Sequence, residues 1–527
     1  MGRIEKDIND IKRFDEIVHI LADEELGIIL DELDLKHRLP FSKRFSTRDK
    51  KPKPERLREA FEELGPTFVK LGQIMAQRPD IVPRRYIEEL EALEDSVPPF
   101  DTEKAVEIIE EEIGLIDEHF SEFDDEPMAA ASIAQVYSAR LVSGEEVVVK
   151  VRRPGIKEKV QRDLDIIEFL AKRGESMSED LRNVQLVDLV KEFDKWINEE
   201  MDLNREGRNA QVIRENMSDN ERVRIPKVYD EYTSERVLVM EKVSGVKCTE
   251  TDKLEELHID TAEITRLGIK MGLNQVIRDG FFHADPHPSN FFIDEDGNII
   301  LIDFGMVGKL TKSTREKLGI LFLHIANEDI DSAFEVIKDL GHVAPDAEEE
   351  AFKQDIEEMI LTLRNARVKD HSLTKTMFKM IVRASQRGVY LPTNLVLTGK
   401  TLVTIEGILL TINPEAQFTE DYKNQVEKIL KEQNSPKQLA KTFMIDFYQN
   451  KETLTKAPSK ISQLMENAGK QQQQPQQQAQ YSEKHEEIVV TGLILSAVFL
   501  FSQTLPTDTL QLMGAGLLMV AVWLFAR

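Results

Sequence analysis

The chain has 527 residues, 41% hydrophobic and 31% charged, with a formal net charge of −27. That length exceeds what one hydrophobic core organises, so two or more domains are expected. So large an acidic excess argues against nucleic acid as a partner, since such binding needs basic surface to displace counterions. Cys248 is the single cysteine, which excludes an intrachain disulfide and fits a reducing compartment. The first residues, Met1-Gly-Arg-Ile-Glu-Lys6, have no apolar core for a secretory signal, and Lys6 stands where a myristoylation signal needs Ser or Thr.

Residues 1–100 predict a helical extension, with Ile4, Ile8, Ile11 and Phe14 at helical spacing. Within it, Lys36–Arg58 carries ten Lys or Arg against only Asp49 and Glu55. A solvated, extended linker around Lys51-Pro-Lys-Pro54 is one explanation, and a patch attracted to anionic lipid is the other. Val97-Pro-Pro-Phe100 opens a second unit, taken as 101–345. There, strands are predicted at Ala134–Leu141 and Glu146–Val151, joined by a Ser143-Gly144 hairpin turn. One long helix from about Leu186 to Asn216 follows, then a strand at Arg236–Glu241 and a helix at about Ile259–Asp279. A helical region continues over 346–469.

Residues 470–487 are Gln-rich and predict a linker. Beyond it, Ile488–Leu505 and Thr509–Ala526 contain no charge and are broken by Pro506-Thr-Asp508. Each spans about 27 Å as a helix, near the roughly 30 Å hydrocarbon core, so 488–526 predict two transmembrane helices; a buried hairpin in a soluble core is the alternative. Lys484 and Arg527 flank the pair while the turn holds only Asp508, which predicts a cell-membrane protein with its catalytic domain in the cytoplasm.

The chemistry concentrates in His283-Ala-Asp-Pro-His-Pro-Ser-Asn290 and Leu301-Ile-Asp-Phe-Gly305. An Asp, an Asn five residues on, and a later Asp-Phe-Gly form the phosphoryl-transfer half of a protein-kinase-like site. Asp285 is placed to accept the proton of an attacking hydroxyl or water. Asn290 and Asp303 supply oxygen ligands suited to Mg2+, and Val147-Val-Val-Lys150 ends a strand in the lysine that meets the α/β-phosphates of ATP or ADP. Where kinases carry a glycine-rich loop, this chain has Ala129, Ala130, Ala131 and Ser132, a run expected to be stiffer because alanine disfavours positive φ. The backbone of Met240, Glu241 and Val243, after the last small-lobe strand, is the expected adenine contact, although Met240 fits plain core packing equally well. The fold class expected is α+β, a two-lobe kinase-like fold with small strands first and helices later. His283, Asp285 and His287 also form a His-x-Asp-x-His array, a rival transition-metal reading.

With these motifs, the chain resembles the UbiB family of atypical kinase-like proteins linked to quinone biosynthesis. Lys70-Leu-Gly-Gln73 resembles its Lys-x-Gly-Gln signature, Ala129–Ser132 its alanine-rich loop, and Glu200-Met-Asp202 its Glu-x-Asp motif. Ser289 departs from the glycine usual there. The resemblance implies that Glu206 partners Lys150. It further implies that the Lys70 and Gln73 helix lies across the cleft, where Glu200 and Asp202 hold it or help arrange the nucleotide, so that peptides are excluded. The implied activity is ATP hydrolysis or phosphorylation of an isoprenoid or quinone-type lipid at a membrane surface, with quinone-biosynthesis enzymes as partners. A catalytically silent, nucleotide-binding lipid chaperone or scaffold is the alternative.

Overall fold

A computed structural model describes residues 3–23, 54–78, 82–93, 97–177, 182, 186–365, 372–416 and 418–433. The predicted linker 470–487 and the transmembrane pair 488–526 lie outside the described residues. The described residues up to Ile429 belong to one compact unit.

The extension comprises α1 (Arg3–Asp23), α2 (Pro54–Leu64), α3 (Pro66–Ala76) and α4 (Arg84–Leu90). Gly65, at φ 92°, ends α2, and Pro66 starts α3 with its φ already set for a helix. Apolar residues of these helices, among them Ile17, Phe61, Phe68 and Ile74, share one core with Ile166, Phe193 and Ile197. Those last three come from α6 (Ile156–Met177) and α7 (Leu186–Glu200), which follow the small-lobe strands. A buried ion pair fastens the same contact. The Arg13 guanidinium meets both Asp163 carboxylate oxygens, at 2.7 and 3.2 Å, and also donates to the Leu64 carbonyl at 2.6 Å.

The small lobe is α5 (Thr102–Ile113) packed on a five-stranded sheet. Its strands are β1 (Phe120–Phe123), β2 (Ala129–Ala130), β3 (Ala134–Leu141), β4 (Glu146–Arg152) and β6 (Val237–Glu241) in the order β1-β3-β4-β6, with β2 on β3. The Gln135 side chain is fully buried and bonds both the N–H and the C=O of Phe100, which fixes where α5 begins.

The single helix expected over Leu186–Asn216 is in fact two, and the expectation of one was wrong. After α7 the chain breaks at Met201-Asp202 and restarts as α8 (Leu203–Asn216), with Asp202 extended at φ −92°, ψ 93°. The small lobe captures the backbone groups at the break. Arg152 donates to the Met201 carbonyl at 2.8 Å, and the Leu203 N–H donates to Glu235 O at 3.1 Å.

In the large lobe, a four-stranded sheet runs β5 (Val223–Arg224), β10 (Ile299–Leu301), β9 (Phe291–Ile293) and β7 (Val246–Lys247). Beside it β8 (Phe281–His283) pairs with β11 (Val307–Lys309). Helices α9 (Thr251–Glu256) and α10 (Thr261–Leu273) precede these loops; α11 (Lys312–Ala326), α12 (Ile330–Leu340), α13 (Glu349–Asn365), α14 (Leu373–Gln386), α15 (Thr393–Ile412) and α16 (Phe418–Gln433) come after them. A two-residue pairing, His342–Val343 with Val389–Tyr390, interrupts this otherwise helical region.

By length and composition α15 is apolar enough to cross a membrane, yet two thirds of that stretch is buried inside the fold. Gly268 and Gly272 of α10 leave room for it: a Cβ on either would lie 2.5 Å from Leu409 Cδ2 or 3.0 Å from Ile405 Cδ1. It is a core helix of the large lobe. It also buries Glu406, 1% exposed, which accepts a hydrogen bond from Thr374. Burial raises the Glu406 pKa against the pull of its Ser372 and Thr374 hydrogen bonds. A carboxyl raised in the folded state stabilises fully below its unfolded value, and that contribution is lost as pH rises through the folded pKa. Glu406→Gln is therefore expected to raise the melting temperature at pH 8 more than at pH 5. An equal change at both values would show that ionisation of Glu406 is not what costs stability.

Candidate nucleotide site

The centre of the cleft is an ion pair carried by β4 and α8. Lys150 Nζ lies 2.8 Å from both Glu206 carboxylate oxygens and 3.8 Å from Asp303 Oδ2. Burial opposes charge on Lys150, but Glu206 and Asp303 outweigh it and raise the lysine pKa, so the ammonium stays charged. Burial pushes Glu206 upward, opposed by Lys150. Asp303 is also penalised by burial, yet Lys150, the Gly305 N–H at 2.9 Å, His283 and Lys70 hold its pKa below the usual carboxylate range.

Strand pairing brings the remaining groups to the same place. In the β9–β10 ladder Phe291 faces Leu301, and the Ile302 N–H donates to Asn290 O at 3.3 Å, so Asn290 and Asp303 leave the ladder at one end. In the β8–β11 pair the Ala284 N–H donates to Met306 O at 3.0 Å, which sets Asp285 beside the residues following Asp303. Asp285 is exposed there. His287 Nδ1 bonds the Ser289 hydroxyl at 2.7 Å, and that hydroxyl reaches Asn290 Oδ1 at 3.4 Å. The Ser289 hydroxyl thus links His287 to Asn290 within the loop.

The rival metal array is not assembled. His283 is buried against Phe304, its Nδ1 accepts the Asp285 N–H at 3.3 Å, and His287 turns to Ser289. Among the described residues no three His, Cys, Asp or Glu side chains form a group able to hold an ion. Asn290 and Asp303 do fit Mg2+: they are oxygen donors at one ladder end, and Asp303 is held ionised.

The alanine-rich run is a tight hairpin. Ala129 and Ala130 pair with Val136 and Gln135, the Ala131 N–H donates to Ala134 O at 2.8 Å, and Arg153 grips Ala131 O at 2.7 Å. Ser132 is fully buried, its hydroxyl without a hydrogen-bond partner among the described residues. At the expected adenine edge, Met240 is 5% exposed, the Glu241 N–H is bonded to Lys227 O at 2.8 Å, and the Lys242 N–H is bonded to Glu146 O at 2.9 Å. The Val243 N–H has no protein partner among the described residues.

The extension reaches the cleft through α3. Lys70 Nζ lies 2.6 Å from Glu200 Oε1, and Glu200 in turn abuts Gly305, whose missing Cβ would sit 3.8 Å from Glu200 Cγ. Gly72 permits this placement, since a Cβ there would meet Leu93 Cδ1 at 2.3 Å. Gln73 bonds Leu93 O at 3.3 Å within the extension, and Asp202 pairs with Arg208 at 3.4 Å, not with Lys70. Sequence reasoning missed Asn209, which is 6% exposed and donates to Phe304 O at 3.0 Å. Its place three residues after Glu206, on the same helix face, was the available signal.

Residues 92–337 match the ABC1 atypical kinase-like domain. The probable protein kinase UbiB of Azotobacter vinelandii is 34% identical over 88% of this chain and 86% of its own length. The chain belongs to the UbiB family. The UbiB relative from Pseudomonas putida strain F1 is 37% identical over 72% of each chain. An uncharacterised Synechocystis protein, slr1919, is also 37% identical, over 70% of this chain and 66% of its own. Among solved structures, the Mycobacterium tuberculosis Rv3197–erythromycin complex is similar at 23% identity over 68% of this chain and 90% of that one, with a TM-score of 0.49. As a UbiB-family member the chain carries a mixed helical and sheet kinase-like fold, a type that binds nucleotides.

Proposed function

We propose that this UbiB-family chain binds Mg-ATP between its lobes and either hydrolyses it or transfers the γ-phosphoryl group to an isoprenoid-lipid acceptor, in support of quinone or related lipid biosynthesis at a membrane. The observation that carries this reading is the Lys150–Glu206 pair at 2.8 Å with Asp303 at 3.8 Å from the same ammonium. Lys150 meets the α/β-phosphates, and the Val243 N–H, which has no hydrogen-bond partner among the described residues, meets adenine. Asn290 and Asp303 would hold Mg2+, which supplies neutralising charge on the phosphates. Asp285 accepts the proton as the water or hydroxyl oxygen bonds to the γ-phosphorus; the bond to the β–γ bridging oxygen breaks and ADP departs with that electron pair.

The Lys70–Glu200 contact supports a small acceptor over a peptide, because it sets α3 beside the loop that carries Asp303. It also favours the second reading, a nucleotide-binding lipid chaperone or scaffold held closed without turnover. The hairpin expected at 488–526 would tether the domain to the cytoplasmic face of the membrane. The test is ATP turnover by the full chain with and without vesicles bearing isoprenoid lipids. Magnesium-dependent turnover that rises with the vesicles is expected; nucleotide binding with no turnover in either condition would favour the scaffold.

A further inference from the structure

Between α10 and β8 the helix widens into a π-helical turn, Asn274–Asp279, closed by Gly280 at φ 66°. Such widened turns recur at functional sites because they redirect side chains that a regular helix would align. Two neighbouring amides in this one, Asn274 and Gln275, are each 3% exposed and face different parts of the large lobe. Gln275 Oε1 accepts the backbone N–H of His283 at 2.9 Å. Asn274 Oδ1 accepts from Gln425 Nε2 on α16 at 3.0 Å.

The contact at His283 continues to the catalytic loop. His283 Nδ1 accepts the Asp285 N–H at 3.3 Å. Gln275 therefore fixes the backbone of the residue whose ring fixes the backbone of Asp285. Thr401 of α15 adds a bond to Ala284 O at 3.2 Å, so the main chain of residues 283–285 is held by side chains from outside its own strand pair.

We propose that Gln275 is a positioning residue for Asp285 and that helix α16 sets its position through Asn274. The inference rests on the phosphoryl-transfer reading for its activity arm only. In the full chain, Gln275→Leu removes the acceptor while keeping an apolar side chain of similar reach. It is expected to lower kcat for ATP turnover about tenfold or more with KM nearly unchanged, because the groups that hold the nucleotide are elsewhere. Gln275→Glu keeps an acceptor oxygen and should recover most of the lost kcat. Gln425→Leu, at a half-buried position on α16, should produce a smaller loss of the same kind. Amide exchange over residues 281–290 supplies a readout independent of catalysis: the His283 and Asp285 N–H groups should exchange faster in Gln275→Leu and Gln425→Leu. Turnover absent in the wild type but exchange faster in the variants would overturn the proposed activity and uphold the positioning role. A lowered melting temperature with unchanged kcat and unchanged exchange at 283–285 would overturn the positioning role itself, as would Gln275→Glu behaving like Gln275→Leu.

Discussion

Asp303→Asn is expected to abolish magnesium-dependent nucleotide stabilisation and to lower ATP turnover by about a hundredfold or more, an effect of the size seen when a preorganised electrostatic group is removed from a site. The side chain keeps its shape, and its amide oxygen can still accept the Gly305 N–H, so the loop should keep its form. What disappears is the negative charge beside Lys150 and the anionic oxygen for a hard cation. Wild-type protein with ligand at about 100 times its dissociation constant should gain roughly 2.7 kcal/mol, readily visible as a rise in melting temperature. The variant should melt like the wild type without ligand and show no rise with Mg-ATP. A full ligand-dependent rise in Asp303→Asn would remove the aspartate from the metal and phosphate site.

Asp163→Ala is expected to destabilise the compact unit by about 3–5 kcal/mol, the usual cost of leaving one member of a buried ion pair without its partner. Arg13 is 9% exposed and Asp163 fully buried, so the guanidinium would keep only the half-exposed Glu16 carboxylate at 3.0 Å and the Leu64 carbonyl in place of its buried partner. Arg13 also holds the Leu64 carbonyl at the end of α2, so the loss should spread along the extension. Denaturant melts should show an earlier transition, and proteolysis should reach α1 sooner. The double variant Arg13→Met with Asp163→Leu replaces both charges by apolar groups and should recover much of the loss. Equal melting of Asp163→Ala and wild type would show that the apolar contact alone holds α1 on α6.

Much of the small lobe was legible because its strands alternate and its hairpin turn contains glycine: β3 matches the expected run Ala134–Leu141 residue for residue, and β4 extends the expected Glu146–Val151 by one. The two acidic motifs of the large lobe were legible for a different reason, since the spacing between Asn290 and Asp303 reflects one strand hairpin and Asp285 stands at the neighbouring strand pair. The break at Met201-Asp202 was not legible. It depends on Arg152 and Glu235, both distant in sequence, taking backbone groups that helical periodicity assigns to the helix itself. Arg13 and Asp163 are separated by 150 positions, and nothing local marks either as the other's partner. Gln73 and Asp202 carry the family motifs, yet their side chains bond Leu93 and Arg208, so a motif match located the neighbourhood better than the individual contact.

The interrupted helix pair has a mechanical consequence. Glu200 lies at its near side and holds the extension's lysine; Glu206 lies at its far side and holds the strand's lysine. Between them Arg152, two residues beyond Lys150 on β4, holds the Met201 carbonyl. Residues 200–206 therefore work as a short crank whose pivot is clamped to the sheet. A displacement of α3 would pull on one arm, and the other arm carries the carboxylate that holds Lys150. If nucleotide sits between the lobes as proposed, opening of the extension and grip on the nucleotide would be geared together through residues 200–206.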